Sequence, residues 1–258
     1  MAAMSFVSGF LTSGGWLSFA SAGHPLYEQY GLSNIGYLIE DCFIKEVPDS
    51  GSVGVFWPKQ PNASPNPKFP QFCSVFSGYT GDPFMHQKFI KHALAANIGV
   101  VCVRPSHGSS IQDMLLSTMM LYAKLAEANF PMERINFIRA ISFGAYLSLY
   151  WIQQLKDTLD KVALFAPCSA EQLPEAASKI GMFVQRDGSL PINLHEANMQ
   201  VRVYHLENDS VIPSKDPLFS NFARNVTEIG IKEGDHFGVD TTDEATKEIV
   251  EWFAGKES

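Results

Sequence analysis

Residues 134–152 constrain this chain more than any other stretch. They open as a short apolar run with β character, from Arg134 to Ile141, and close as a dense apolar run of helix length. Between the two sits Ala140-Ile141-Ser142-Phe143-Gly144, a G-x-S-x-G pattern with alanine at the first glycine. A serine between a strand and a helix, flanked by small residues, reads as a sharp turn that exposes its hydroxyl. Bulk two residues either side of it would clash with the neighbouring strand and helix, and Ala140 and Gly144 keep both places small. The helix that follows points its N-terminus at the serine, where the dipole favours negative charge. Small-x-Ser-x-small also arises by chance, so its weight depends on what the rest of the chain places beside it.

Strands and helices alternate around this turn. Apolar runs with β character are predicted at residues 37–47, 52–57, 71–76, 98–103, 161–167, 199–205 and 226–231, in addition to the one before Ser142. Helices are predicted over 84–97, 111–129 and 243–254, besides the one after Ser142. The helix over 111–129 is expected to bury Ile111, Leu115, Met119, Tyr122 and Ala126, and the last helix Ala245, Ile249, Trp252 and Phe253. Residues 58–70 are rich in Pro, Asn, Lys and Ser and read as a surface loop. From residue 71 onward the alternation is that of a parallel sheet covered on both faces, in which ligands bind at the carboxyl ends of the strands. Residues 168–198 exceed a plain strand-to-strand link and are expected to form a small lid-like segment.

Composition removes several function classes. With 258 residues, 46% of them hydrophobic and 18% charged, the chain can fill one large core. Its net charge of −8 and lack of any basic cluster argue against nucleic-acid binding. Cys42, Cys73, Cys102 and Cys168 have no C-x-x-C spacing, which disfavours zinc; Cys73 and Cys102 lie in apolar runs and read as buried thiols. Residues 1–36 are set apart as an N-terminal arm, and residues 37–258 as one domain. The first 44 residues hold no Lys or Arg, so the apolar stretch 4–20 lacks the positive flank of a secretory signal. The expectation is a cytoplasmic protein. Secretion, with residues 1–22 as an atypical signal, is the alternative, and membrane contact by the arm is not expected.

A serine hydroxyl needs a base within hydrogen-bond reach to attack at neutral pH. Of seven histidines, His86 and His92 fall in a predicted helix, His205 in a strand, His24 in the arm and His195 in the irregular stretch. His107 precedes the serine and reads as part of a structural turn. His236 follows the last strand and precedes the last helix, at the correct sheet edge. Asp209 follows the preceding strand, within the segment from Glu207 to Pro213, giving the order Ser, Asp, His. Glu207 is the rival acid, and Asp235 sits too close to the histidine to reach its far ring nitrogen. A developing oxyanion would need the N–H of Phe143 and a second donor from Ser77-Gly78-Tyr79-Thr80-Gly81, with Tyr79 expected to supply it.

With these elements in place, the chain resembles the α/β-hydrolases from about residue 37 to the end, and within them the cutinase, polyesterase and dienelactone-hydrolase branch. Gly78-Tyr79-Thr80-Gly81 is similar to the oxyanion loop of bacterial cutinases, where the tyrosine also contacts the acyl group. The Glu207–Pro213 segment is similar to their acid loop, and Asp235-His236-Phe237 has the family's look. The resemblance implies an α/β-hydrolase fold: a mostly parallel eight-stranded sheet, helices on both faces and no large cap domain. It implies Ser142 as nucleophile, Asp209 and His236 as its partners, Tyr79 and Phe143 as oxyanion donors, and neither metal nor cofactor. The expected activity is hydrolysis of a small-molecule carboxylic ester through an acyl-enzyme. Substrate contacts are expected from Tyr79, Phe143, Ile141, Cys168, Met182 and Phe183. A thioesterase or peptidase with the same residues stays open as an alternative, as does a non-catalytic binding protein. Ala140 and Ala145 stand where glycines are usual, and Cys168 where polyesterases often carry a tryptophan. Arg139 places a charge inside an expected central strand, where a carboxylate partner is expected.

Overall fold

A computed structural model of the chain describes residues 34–59, 70–79, 81–83, 86–106, 110–185, 194–212, 215–232, 236 and 243–256. The expected arm therefore lies almost wholly outside the described residues, as do His24, His107, Asp235 and the middle of the lid-like segment. Among the described residues, eight strands form one sheet: β1 (Ile39–Val47), β2 (Gly51–Pro58), β3 (Gln71–Phe76), β4 (Ile98–Pro105), β5 (Ile135–Ile141), β6 (Lys161–Phe165), β7 (Gln200–Leu206) and β8 (Val226–Ile231). Their order is β1-β2-β4-β3-β5-β6-β7-β8. The first two are antiparallel to their neighbours, and all pairings from β4 through β8 are parallel. Every strand inferred from sequence is present, with ends displaced by no more than about two residues.

Among the described residues, the α-helices are α1 (Gln87–Ala95), α2 (Ile111–Glu127), α3 (Phe143–Leu155), α4 (Leu173–Lys179), α5 (Pro217–Asn221) and α6 (Asp243–Phe253). α1 and α6 cover one face of the sheet, through Phe89, Ile90, Ile249 and Phe253. α2, α3 and α4 cover the other, through Leu121, Trp151 and Leu173. Both faces being covered explains why β3 to β6 read as nearly unbroken apolar runs. Phe76 meets Trp151 edge-on at 5.5 Å, which seats α3 against β3. α1 and α2 stop in the same way. Asn97 and Asn129 each follow the C-cap at φ 62° and 57°, the left-handed conformation that asparagine tolerates.

The buried stripe of α2 differs from the expected one. Met119 and Ala126 face outward, and the core side is built from Ile111, Met114, Leu115, Thr118, Leu121 and Leu125. Repeated steps of four residues drift around a 3.6-residue helix, whereas alternating steps of three and four stay on one side. Ser117 and Thr118 could join the buried side because their hydroxyls donate to the carbonyls of Asp113 and Met114, each at 2.9 Å.

Arg139 lies in β5 at the middle of the sheet and is 1% exposed. Its guanidinium carbon sits 4.6 Å from the centroid of the Phe89 ring and 5.5 Å from that of Phe165. Aromatic faces thus supply favourable contact to the charge. Burial pulls its pKa down to about 10, and the neighbouring Cys73 and Cys102 act in the opposite sense. All four cysteines are buried, and none is in a disulfide.

Candidate active site

The carboxyl ends of β3, β5, β6, β7 and β8 lie along one edge, and each loop leaving that edge contributes to one cleft. At the end of β5, Ser142 takes φ 52° and ψ −129°. A non-glycine residue at positive φ costs of order 1–3 kcal/mol and persists only where its surroundings enforce it. The enforcement is visible. Ser142 donates its N–H to the carbonyl of Phe165 at 2.8 Å, and its own carbonyl accepts from Cys168 N at 3.1 Å. The turn is also close to the limit of packing. A Cβ at Gly144 would lie 1.9 Å from the Ser77 carbonyl oxygen, so no larger residue fits there.

Two loops meet the serine. His236 Nε2 is 2.9 Å from Ser142 Oγ, and His236 Nδ1 is 2.8 Å from Asp209 Oδ2. Asp209 Oδ1 accepts from the N–H groups of Val211 and Ile212, each at 2.8 Å. Burial on its own would raise the Asp209 carboxyl. The hydrogen bond from His236 and the two loop amides outweigh burial and hold it below its ordinary value. An ionised carboxylate only accepts, so Nδ1 carries the imidazole proton and donates it to Asp209. Nε2 is then the acceptor, and the Ser142 hydroxyl donates to it. Glu207, the rival acid, is exposed and near Gly230, away from this chain of bonds.

The cleft holds about 670 Å³, counting the part open to solvent. Ser77, Gly78, Tyr79, Ile141, Ser142, Cys168 and His236 line one side. Of the expected substrate contacts, Tyr79, Ile141 and Cys168 are thus brought to this cleft. Cys168 is fully buried, and burial pushes its thiol up to about 12, which leaves it an uncharged wall group. Three expected contacts stand elsewhere. The Phe143 ring is wholly buried in the core and stacks on Tyr146 at 5.5 Å, so only its backbone can face a ligand. Met182 and Phe183 follow the left-handed Gly181 that ends α4, and they swing outward; Phe183 is 84% exposed. In their place, Leu173, Ala176, Ala177 and Ile180 of α4 and its end line the cleft. Their spacing of three, four and seven residues was readable in the lid-like segment. His86 also lines the cleft, and sequence reasoning had set it aside as a helical residue.

No protein-family model matches the chain, and no curated protein matches it in sequence. Solved structures do match in three dimensions. Est1E from Butyrivibrio proteoclasticus is 14% identical at a TM-score of 0.54, covering 80% of this chain and 96% of its own. A truncated carbohydrate esterase from gut microbiota is 10% identical at 0.56, covering 85% and 97%. FphF, a fluorophosphonate-binding serine hydrolase of Staphylococcus aureus, is 14% identical at 0.53, covering 83% and 97%. The fold is that of the α/β-hydrolases. Within this hydrolase fold the serine turn, the Asp209 loop and His236 occupy the strand ends at which ligands bind. Among the described residues, no group of three or more His, Cys, Asp or Glu side chains could hold a metal ion, and no helix is long and apolar enough to cross a membrane.

Proposed function

We propose that the protein hydrolyses a carboxylic ester through an acyl-enzyme formed on Ser142. The observation that carries this reading is the continuous chain Ser142–His236–Asp209, with bonds of 2.9 and 2.8 Å, on a strained turn at the mouth of a cleft. His236 takes the Ser142 proton as the oxygen attacks the ester carbonyl, and Asp209 stabilises the imidazolium. The carbonyl electrons move onto oxygen, beside the N-terminus of α3, where the N–H of Phe143 and the N–H of Tyr79 are the proposed donors. The intermediate collapses as His236 returns the proton to the leaving alkoxide. Water then repeats the sequence on the acyl-enzyme and releases the acid. No cofactor enters this scheme.

The wall formed by Leu173, Ala176, Ala177, Ile180 and Val211 favours an apolar substituent, and the two alanines leave it room. The test is labelling with a fluorophosphonate probe, followed by a panel of p-nitrophenyl acyl esters and matched thioesters and anilides. Labelling at Ser142 and turnover of esters are expected. An intact, folded protein that takes up no probe and cleaves none of the panel would leave a binding protein on a hydrolase fold as the better account.

A further inference from the structure

The cleft contains a second serine–histidine pair that the proposed reaction does not use. Ser77 is the first residue after β3, and its Oγ lies 2.7 Å from His86 Nε2. His86 stands at the N-cap position of α1, so this contact joins the entry and exit of the loop that carries Tyr79. Ser77 is fixed from two further directions. Its carbonyl abuts Gly144 at the start of α3, and a Cβ at Gly81 would fall 2.9 Å from its Cβ. Between them Gly81 donates its N–H to the Gly78 carbonyl at 3.0 Å, and Gly78 packs against Ser142, 3.2 Å from Cβ to Cβ position. Gly78 and Gly81, the described glycines of this loop, thus stand where the packing around Ser77 and Ser142 is tightest.

We infer that the Ser77–His86 hydrogen bond is a positioning clasp that holds the Tyr79 N–H at the site of the developing oxyanion. The inference rests on the ester hydrolase reading above. Its physical basis is that oxyanion donors act only when preorganised: losing one costs about 10²–10³ in kcat, and misplacing a group by about 1 Å can cost about 10²-fold. Tyr79 is two residues from Ser77, and the loop it belongs to is rich in glycine, so an anchor at its base sets where that N–H points. His86 suits the task because it stays in one charge state. Burial, reinforced by the Arg139 charge, pushes its pKa down to about 3, so its ring remains neutral where an ester hydrolase works.

The experiment compares Ser77→Ala, His86→Phe, the double variant and His86→Gln in the full chain. Folding is checked by circular dichroism, and steady-state kinetics and the rate of fluorophosphonate labelling are then measured. Each single variant is expected to lower kcat by about 10–100-fold with KM within about twofold, and labelling should slow in parallel. The double variant should lose no more than the worse single, because both remove the same bond. His86→Gln keeps a hydrogen-bonding nitrogen close to the Nε2 position and should restore most of the rate with the wild-type pH profile. Should His86→Phe not fold, Ser77→Ala, which deletes one oxygen, carries the test. Folded variants with kcat within about twofold of wild type would overturn the clasp, as would a changed pH profile in His86→Gln. If the wild-type protein labels at Ser142 and the variants label as fast, the clasp alone fails. If the wild-type protein does not label at all, the ester hydrolase reading fails with it.

Discussion

Two serine–histidine pairs share this cleft at nearly the same separation, 2.9 Å for Ser142–His236 and 2.7 Å for Ser77–His86. What distinguishes them is everything behind the histidine. The far nitrogen of His236 meets the Asp209 carboxylate, which favours the imidazolium formed when a serine proton is taken. His86 is half-buried and feels the positive charge of Arg139, and both features oppose a positive ring. The serines differ as well. Ser142 sits on a strained turn at the head of α3, where negative charge is stabilised, and Ser77 is wedged between Gly81 and Gly144 at a strand end. Under the proposed reaction, a short Ser–His distance does not by itself make a nucleophile; the charge placed behind the ring does.

The largest effect that should separate the pairs is loss of the attacking oxygen. Ser142→Ala is expected to lower kcat by about a million-fold while leaving the fold intact, in line with removal of a serine protease nucleophile. Ser77→Ala should lose at most about a hundredfold, the cost of misplacing a group by about 1 Å. The two are read in the same ester assay at saturating substrate. A Ser77→Ala loss as deep as that of Ser142→Ala would erase the distinction between attack and positioning.

Removing the charge behind His236 should come next. Asp209→Asn keeps the shape but replaces an acceptor with a group that can also donate, which leaves the imidazole in the wrong tautomer. The corresponding change in a serine protease costs about ten-thousand-fold. Glu207→Gln is expected to stay within about threefold of wild type, since surface substitutions away from functional contacts have small effects. Measuring kcat for both at saturation decides the acid. A larger loss from Glu207→Gln would move the acid role to that residue.

The first pair was legible in the sequence and the second was not, for a physical reason. Ser142, Asp209 and His236 each follow a strand, so alternation alone places them at one sheet edge. Tyr79, Ile141 and Cys168 come with them, because they too adjoin strand ends. His86 belongs to no motif: it reads as part of the helix predicted over 84–97, and its contact with Ser77 leaves no mark in the sequence. Phe143 misled because a residue's backbone and side chain can serve different places. Its position beside Ser142 is fixed by the turn, but its ring follows helical geometry into the core. Met182 and Phe183 misled because a left-handed glycine redirected the chain just before them. Arg139 was flagged from sequence as a buried charge, but the aromatic rings around it come from α1 and β6 and have no sequence signature.

The smallest effect is in stability, and it tests the electrostatic half of the comparison without reference to catalysis. His86 titrates near 3 in the folded chain and near 6.5 when exposed by unfolding. Between those values the unfolded state binds the proton and the folded state does not, so folding stability rises with pH across that window and is lost as pH falls below about 6.5. From pH 7 to pH 5 this one ring should cost about 2 kcal/mol, roughly thirtyfold in the folding equilibrium. His86→Gln has no proton to gain, so its urea unfolding free energy should fall by about 2 kcal/mol less over the same interval. Two other groups need placing. The His205 ring is also held below its ordinary value, chiefly by burial, and acts in the same sense, but it is present in both proteins and cancels in the difference. The Asp209 carboxylate, held low in the folded state, contributes stability that is lost only as pH falls below about 4, outside the measured interval from pH 7 to pH 5. Parallel unfolding free energies for wild type and His86→Gln at pH 7 and pH 5 would mean that folding does not depress the His86 pKa and that the ring facing Ser77 is charged at pH 5. The contrast with His236 would then have to be drawn on geometry alone.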